Sequence, residues 1–296
     1  MHIDPQRRSF LLCLALATGC TLALSAPQQQ LDPSPDILRN QLLAMDQQAQ
    51  GQWLAQAYAT QQLERASDGQ LRAILAAMHW SVLLVPAQQW LQANPDYEFS
   101  MFRRERLQTA EQLPANPERM WVRYRHVPRA VYALWQSGGP RSGQEILYDA
   151  TVDARKMRAH LGGILGKFSF NVDIDGALAR AQSRHTVRNM GFQYIFEQVE
   201  MDRNKLKARG LPEEAESSLV YEDTRRYVEI TLRTPGAPEF YAPLTRLRLD
   251  LSRPLLRMIE CHDSDGQVFE HVVFDNVQAF TPAADAFAPS NPQFHF

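Results

Sequence analysis

Apolar and polar residues alternate along the chain from Tyr97 onward. Tyr97, Phe99 and Met101 are separated by Glu98 and Ser100, and Val122, Tyr124 and His126 by Arg123 and Arg125. Phe168, Phe170 and Val172 flank Ser169 and Asn171. Val228, Ile230 and Leu232 flank Glu229 and Thr231, and Leu247, Leu249 and Leu251 flank Arg248 and Asp250. A period of two places each apolar set on one face of a strand, the pattern of antiparallel strands with a single buried side. Further strands are predicted over 130–135, 145–148, 255–262 and 267–274. Asp263-Ser264-Asp265-Gly266 reads as the hairpin turn between the last two.

Upstream of Tyr97 the period is helical. Ser34-Pro35-Asp36 combines a capping hydroxyl, a proline suited to the first turn and an acid at the positive helix end. Leu38, Leu42, Met45, Ala49 and Trp53 then recur on one face. Ser67-Asp68-Gly69-Gln70 has the form of a capping box, and Leu71, Ile74, Leu75, Met78 and Val82 follow at helical spacing. Pro86 interrupts this run, and Asn94-Pro95 ends it. One more helix is predicted at about 189–209, with Phe192, Ile195, Phe196, Val199 and Leu206 as its stripe and Gly210 and Pro212 as its stop.

These elements predict an α+β fold, a long curved antiparallel sheet with helices over its apolar face. Residues 35–95 read as an added helical segment and 96–296 as the β domain, expected to fold without it. An apolar face only partly covered leaves a groove, where a ligand would sit.

The N-terminus changes the picture of where the protein works. Arg7 and Arg8 precede an apolar stretch, Phe10 to Ala17, that Thr18, Gly19 and Cys20 interrupt. It is short for a membrane span and reads as an export signal over 1–25, with a Pro- and Gln-rich leader over 26–34. Ala23-Leu24-Ser25 offers small residues for cleavage after Ser25. Ala17-Thr18-Gly19-Cys20 weakly resembles a lipoprotein box, so a lipid anchor at Cys20 stays open, as does twin-arginine export through Arg7-Arg8. A periplasmic location is expected either way.

Cys13 and Cys20 lie in that signal, which leaves Cys261 alone and no intramolecular disulfide for the exported chain. The formal net charge of −2 gives no support to nucleic-acid binding. Only four of the 31 basic residues are lysines, a bias that reads as composition rather than phosphate recognition.

Candidate chemistry is sparse. Gly162-Gly163-Ile164-Leu165-Gly166-Lys167 has the wrong spacing for a phosphate loop, and Phe168 stands where Ser or Thr belongs. Asp173-Ile174-Asp175-Gly176 and Asp263-Ser264-Asp265-Gly266 lack the ligand spacing of a calcium loop and read as turns. Glu260, His262 and His271 could meet across the hairpin as zinc ligands, against a solvated polar face as the simpler reading. Cys261 reads as buried and inert. His185, beside Arg184 and near a helix start, has no nucleophile motif for company. It reads as a tie between helix and sheet or as a contact to a ligand head group. No catalytic residue, metal or cofactor is expected.

Several stretches carry a family likeness. Glu105-Arg106, Trp121 to Trp135, Gly143 to Asp149, Ser183-Arg184-His185 and the Phe-rich tail Phe274 to Phe296 resemble domain-of-unknown-function family 1571, a family of exported bacterial proteins. The architecture is similar to the LolA/LppX group of periplasmic lipid and lipoprotein carriers and to the sensor domain of RseB-like regulators. That resemblance implies an incomplete antiparallel barrel lidded by helices over an apolar cavity. It makes a non-catalytic carrier for a lipid, an acylated protein or another hydrophobic ligand the expected function. An envelope module binding a protein partner is the rival, and an envelope-polymer hydrolase the more distant one. The cavity is expected to be lined by Tyr97, Phe99, Met101, Val122, Tyr124, Phe168, Phe170, Val228, Ile230, Leu232, Leu247 and Leu249, with Arg184 and His185 meeting a polar or acidic head group.

Edman sequencing of the exported protein should begin at Ala26. An acylated Cys20 at the N-terminus would instead establish the anchored form.

Overall fold

The computed structural model describes residues 33–107, 110–163 and 168–296. The export signal, most of the leader and Ile164 to Lys167 of the glycine-rich stretch lie outside the described residues. Five helices come first: α1 (Pro35–Leu43), α2 (Gln47–Ala59), α3 (Gln62–Arg65), α4 (Asp68–Ala77) and α5 (Trp80–Ala93). Six strands follow: β1 (Asp96–Glu105), β2 (Glu118–Arg125), β3 (Ala130–Trp135), β4 (Glu145–Asp149), β5 (Lys156–His160) and β6 (Ser169–Asp173). Then come α6 (Ala177–Arg180), a 3-10 turn at Val187–Asn189 and α7 (Phe192–Ala208). Five strands complete the chain: β7 (Glu214–Glu222), β8 (Arg225–Arg233), β9 (Leu244–Asp250), β10 (Leu256–His262) and β11 (Val268–Ala279).

The local signals act as their chemistry requires. Ser34 Oγ accepts from Ile37 N at the start of α1. At α4, Gln70 N donates to Ser67 Oγ at 3.3 Å and Ser67 N to Gln70 Oε1 at 2.8 Å, a complete capping box. Two predicted runs are each split. Asp46 caps a new helix at α2, accepting from Ala49 N at 2.8 Å. Met78 is extended, so α4 ends there and α5 begins after His79. Pro86 sits inside α5 rather than interrupting it. β5 and β7 escaped the sequence reading because Lys156–His160 and Glu214–Glu222 are mostly exposed or half-buried and lack clean alternation.

All strands join one antiparallel sheet in the order β6-β5-β4-β3-β2-β1-β11-β10-β9-β8-β7. Two meanders, β1 to β6 and β7 to β11, meet where β1 pairs with β11. The sheet is not closed, and β6 and β7 are its two edges. These edges are consecutive strands in the sequence, so the chain between them must cross the whole sheet. Eleven strands about 4.8 Å apart make that width roughly 48 Å along the sheet. The 17 residues of α7 span only about 25 Å of it.

Each strand serves two faces. Val131, Ala133 and Trp135 of β3 belong to the large core beneath the helices, whereas Ala130 and Tyr132 belong to a second cluster with Ala286, Phe287 and Phe294. The C-terminal tail therefore covers the outer face of β2 to β4. Tyr132 stacks on Phe294 with centroids 3.7 Å apart. Arg123 is pinned between Glu98 (2.7 Å) and the tail, donating to Ala286 O at 3.2 Å and Gln293 Oε1 at 2.6 Å.

On the inner face, α1 to α5 lie over the β7–β9 end. Leu54, Tyr58, Leu63 and Leu71 meet Val228, Leu249 and Leu251. Tyr58 Oη donates to Asp250 O at 3.0 Å, and Arg226 donates to Ala66 O and Glu64 O, both at 2.7 Å. The helical segment and the sheet thus share one hydrophobic core within one unit, Ser34–Phe296. This departs from the separate segment expected at residues 35–95. Its amphipathic stripe was legible, but the surface it buries lies on strands more than a hundred residues later.

A chain starting at Asp96 should consequently be insoluble or lose its cooperative melting transition, because Val228, Leu249 and Leu251 would face water. Cooperative thermal unfolding of that fragment, followed by circular dichroism, would contradict this.

Candidate functional site

The inner face of β1 is apolar for three positions and charged for two. Tyr97, Phe99, Met101, Arg103 and Glu105 are all buried on the same face. Across the seam Glu105 stands opposite Glu270 of β11, Arg103 opposite Val272 and Met101 opposite Phe274. On the other side Arg103 stands opposite Glu118 of β2. Two buried carboxylates facing each other on neighbouring strands repel and need cations.

Arg103 supplies one cation. Its Nη2 lies 2.8 Å from Glu118 Oε2 and its Nη1 3.5 Å from Glu105 Oε2. Arg141 closes the other side of Glu118. The second cation comes from the crossover between β6 and β7. His185 Nε2 lies 2.9 Å from Glu270 Oε1 and 3.9 Å from Glu105 Oε1. Tyr241 Oη donates to Glu270 and lies 2.9 Å from His185 Nε2. Ser183 Oγ receives Arg103 Nη1 at 3.0 Å and donates to Glu105 Oε2 at 3.1 Å, and Arg184 N donates to Glu105 Oε1 at 3.1 Å.

Burial works against a charged His185, but the carboxylates of Glu270 and Glu105 outweigh it and hold its pKa above the ordinary value of 6.5. Burial likewise favours a neutral Glu270, and His185, Tyr241 and Arg103 overcome it and lower its pKa below 4.5. The two shifts agree on an imidazolium–carboxylate pair. Glu105, His185 and Glu270 also bring one ligand atom each within 4.8 Å of one another. A metal ion there would have to displace Tyr241, Ser183 and the Arg184 N–H from carboxylates they already satisfy, beside the Arg103 guanidinium.

His185 sits where the crossover passes the centre of the sheet, and a chamber opens on each side. The first, about 90 Å³, lies beneath α7 against β7 to β11, lined by Met101, Ile195, Val199, Leu232, Ile259 and Phe274 among others. The second, about 210 Å³, lies at the β3–β6 end beneath α6, lined by Trp135, Ile146, Met157, Ala159, Val172 and Leu178 among others. Arg103, His185 and Met190 belong to both walls.

The residues expected to line a cavity divide accordingly. Met101 and Leu232 line the first chamber and Phe170 the second; His185 lines both. Tyr97, Phe99, Val122, Tyr124, Ile230 and Leu247 are packed core with no open face. Tyr97 has a structural task, its hydroxyl accepting from Phe192 N at 2.9 Å at the start of α7 and donating to Gln193 Oε1 at 2.6 Å. Gly191 lets that turn approach the sheet, since a Cβ there would lie 2.2 Å from the Tyr124 ring. Val228 and Leu249 meet the N-terminal helices, and Phe168 is exposed. Arg184 stacks on Phe269 at 4.5 Å and donates to Arg106 O at 3.2 Å. His185 is committed to Glu270 and Glu105, whereas Arg184 has no carboxylate within ion-pair distance among the described residues and its buried Nε has no hydrogen-bond partner there.

The other candidates resolve simply. Asp173 Oδ1 accepts from Asp175 N, and Asp263 Oδ1 from Asp265 N and Gln267 N, which is turn chemistry. Glu260 faces His271 across the strands but bonds His262 Nε2 at 2.8 Å and Arg246 Nη1 at 3.1 Å. Cys261 is buried, and burial with Glu270 nearby pushes its thiol well above the usual range. Arg103, Glu105, Glu270 and Tyr241 carry no candidate site reading in the sequence, Glu105 entering only through the family likeness at Glu105-Arg106. For the first two the signal was present, since the period of two in β1 continues from Met101 into Arg103 and Glu105.

The sequence pattern described as "Protein of unknown function (DUF1571)" matches residues 94–296, from the first strand to the last residue. The chain belongs to the DUF1571 family. No curated protein matches it. Among solved structures, it is similar to a LolA superfamily protein from Nitrosomonas europaea at 10% identity, covering 68% of this chain and 97% of that one with a TM-score of 0.30. A putative outer membrane lipoprotein-sorting protein domain from Vibrio parahaemolyticus aligns at 10% identity over 69% and 95%, TM-score 0.34. The Pseudomonas aeruginosa MucA/MucB complex aligns at 15% identity over 68% and 60%, TM-score 0.34. The DUF1571 match leaves out α1 to α5, so the helices over the β7–β9 end lie beyond the family pattern.

The His185–Glu270 pair fixes a pH dependence. A raised histidine pKa contributes stability in full below pH 6.5, lost as the pH rises through the folded value. A lowered carboxyl pKa contributes above pH 4.5 and is lost as the pH falls. His185→Gln should cost about 3–5 kcal/mol by leaving Glu270 buried without its cation. The wild-type advantage in urea unfolding should be greatest between these two values and shrink towards pH 9. An advantage that stays constant from pH 6 to 9 would show that His185 is neutral in the fold.

Proposed function

We propose that this DUF1571 protein is a non-catalytic binding or carrier protein of the bacterial envelope, holding a hydrophobic or amphipathic ligand against the inner face of its sheet. One observation carries the reading: the two chambers, whose walls present mostly apolar surface although Asp202, Arg203, Glu213, Glu214 and Arg233 also border the smaller one, lie between the helical cover and the sheet. Room of about 90 and 210 Å³ exceeds the space of a single water several times over. An apolar chamber with a few placed polar groups is the general form of a small-ligand site. The buried ion pairs at the seam hold the crossover and leave the chamber walls to do the binding.

A second reading, an interaction module for a protein partner, is favoured by the apolar rim of the larger chamber. Leu161, Phe170 and Leu178 are 39%, 40% and 54% exposed there. Exposed apolar side chains clustered at one opening mark a surface that meets something.

Purified protein extracted into organic solvent should release a lipid detectable by mass spectrometry, and a neutral apolar fluorophore should bind the emptied protein. Phe170→Ala should weaken fluorophore binding about fivefold, the worth of roughly 1 kcal/mol of apolar contact, with the melting temperature nearly unchanged. A folded protein with neither lipid nor fluorophore bound would refute the carrier and favour the partner-binding module.

A further inference from the structure

The outer face of the sheet holds a buried carboxylate between two histidines. Glu145 of β4 is 1% exposed and shares its face with Leu147, which packs under the C-terminal tail. The register sets it opposite His160 of β5, itself 3% exposed. No arginine or lysine lies within ion-pair distance of Glu145 among the described residues; its ionic partners are His160 and His295. Oε2 is well supplied, because Tyr132 Oη donates to it at 2.8 Å and His295 N at 3.1 Å. Oε1 meets two ring nitrogens, His295 Nδ1 in direct contact and His160 Nε2 at 3.5 Å.

One nitrogen of His160 is already engaged. Nδ1 lies 3.0 Å from Leu161 O, and a carbonyl oxygen can only accept, so Nδ1 carries a proton. Nε2 is buried and makes no hydrogen bond among the described residues. In the neutral ring Nε2 bears the lone pair and faces a carboxylate oxygen that is also an acceptor. In the charged ring it bears a proton that makes no hydrogen bond with that oxygen. A metal ion shared by the two atoms satisfies both. Ligands about 2.1 Å from a tetrahedral zinc ion stand about 3.4 Å from one another, which the 3.5 Å between Nε2 and Oε1 matches. The surroundings are those a metal ligand needs. The imidazole donates its other N–H to a backbone carbonyl, and the carboxylate has its other oxygen fixed by hydrogen bonds.

We propose that Glu145, His160 and His295 form a site for a divalent transition metal, zinc by its ligand set. Glu145 Oε1 and His160 Nε2 are the fixed ligands. His295 is the movable one. Its side chain is 70% exposed and belongs to the tail, so it turns outward to admit the ion and binds it through a ring nitrogen. Water completes the tetrahedron from the solvent side. The ion joins β4, β5 and the tail, and so fastens the tail over Tyr132 and Leu147. The site is independent of what the chambers hold. It also differs from the seam, where Arg103 stands beside the carboxylates and Tyr241 and Ser183 already satisfy them.

The test is calorimetric titration of untagged, EDTA-treated protein with Zn²⁺, with Mg²⁺ for comparison. Zn²⁺ should bind at one equivalent and raise the melting temperature, whereas Mg²⁺, which takes oxygen ligands, should do neither. His160→Gln should weaken Zn²⁺ binding about a hundredfold and His295→Ala about tenfold. His262→Gln, at the other histidine–glutamate pair, should leave it unchanged. X-ray absorption of the zinc-loaded protein should show two imidazole ligands. Absence of Zn²⁺ binding, or binding untouched by His160→Gln and His295→Ala, would overturn the site. So would a loss caused by His262→Gln, which would move the ion to Glu260 and His262. His295→Ala removes an exposed side chain, so its outcome decides the matter even if His160→Gln misfolds.

Discussion

The structure depends on one topological constraint. β6 and β7 follow one another in the chain and occupy opposite edges of an eleven-stranded sheet. The segment between them has to traverse the inner face, and it has to be tied down on the way. A crossover lying loose over an apolar face would neither exclude water nor fix the position of α7. The tie is made at the seam, where Glu105 and Glu270 stand opposite one another and His185 answers both. Each side of the arrangement requires the other. The carboxylates would repel without the imidazolium, and the crossover would lack an anchor without the carboxylates.

The partition of the inner face follows from that anchor. Because the crossover touches down at the middle of the sheet, the space on either side becomes two chambers rather than one long groove. α1 to α5 reinforce the asymmetry by packing over the β7–β9 end, while the tail is spent on the outer face, against Tyr132 and Leu147. Over the β3–β6 end lie the short helix α6 and crossover residues between Gln182 and Met190, and the larger chamber lies there.

Periodicity made much of this legible. The strands at 97–101, 122–125, 228–232 and 247–250, the capping box at Ser67 and the helix ended by Gly210 were all readable, because each reports on a face that is buried locally. What could not be read was which buried surface each face would meet. Tyr97, Val122 and Ile230 look the same in sequence whether they line a cavity or fill a core, since either needs an apolar side chain on the inner face. The charged seam was hidden for another reason. Glu105 and Glu270 become neighbours only through the β1–β11 register, and a lone glutamate at the end of an alternating run reads as a strand terminus. His185 reads in the sequence as a tie between helix and sheet or as a head-group contact, because its partners lie on strands at the two ends of the β domain.

The seam has a kinetic side. β1 is the first strand to be made and β11 the last, yet they pair at the centre of the sheet. Each meander can form hairpins from neighbouring residues at little entropic cost, but the contact that unites them closes a loop containing nearly the whole β domain. Until β11 is available, the inner edge of β1 is an unpaired strand bearing Arg103 and Glu105 in water, where charge is cheap and guards the edge against pairing with another chain. The two side chains that β1 contributes to the finished seam thus put charge on its strand before β11 pairs with it.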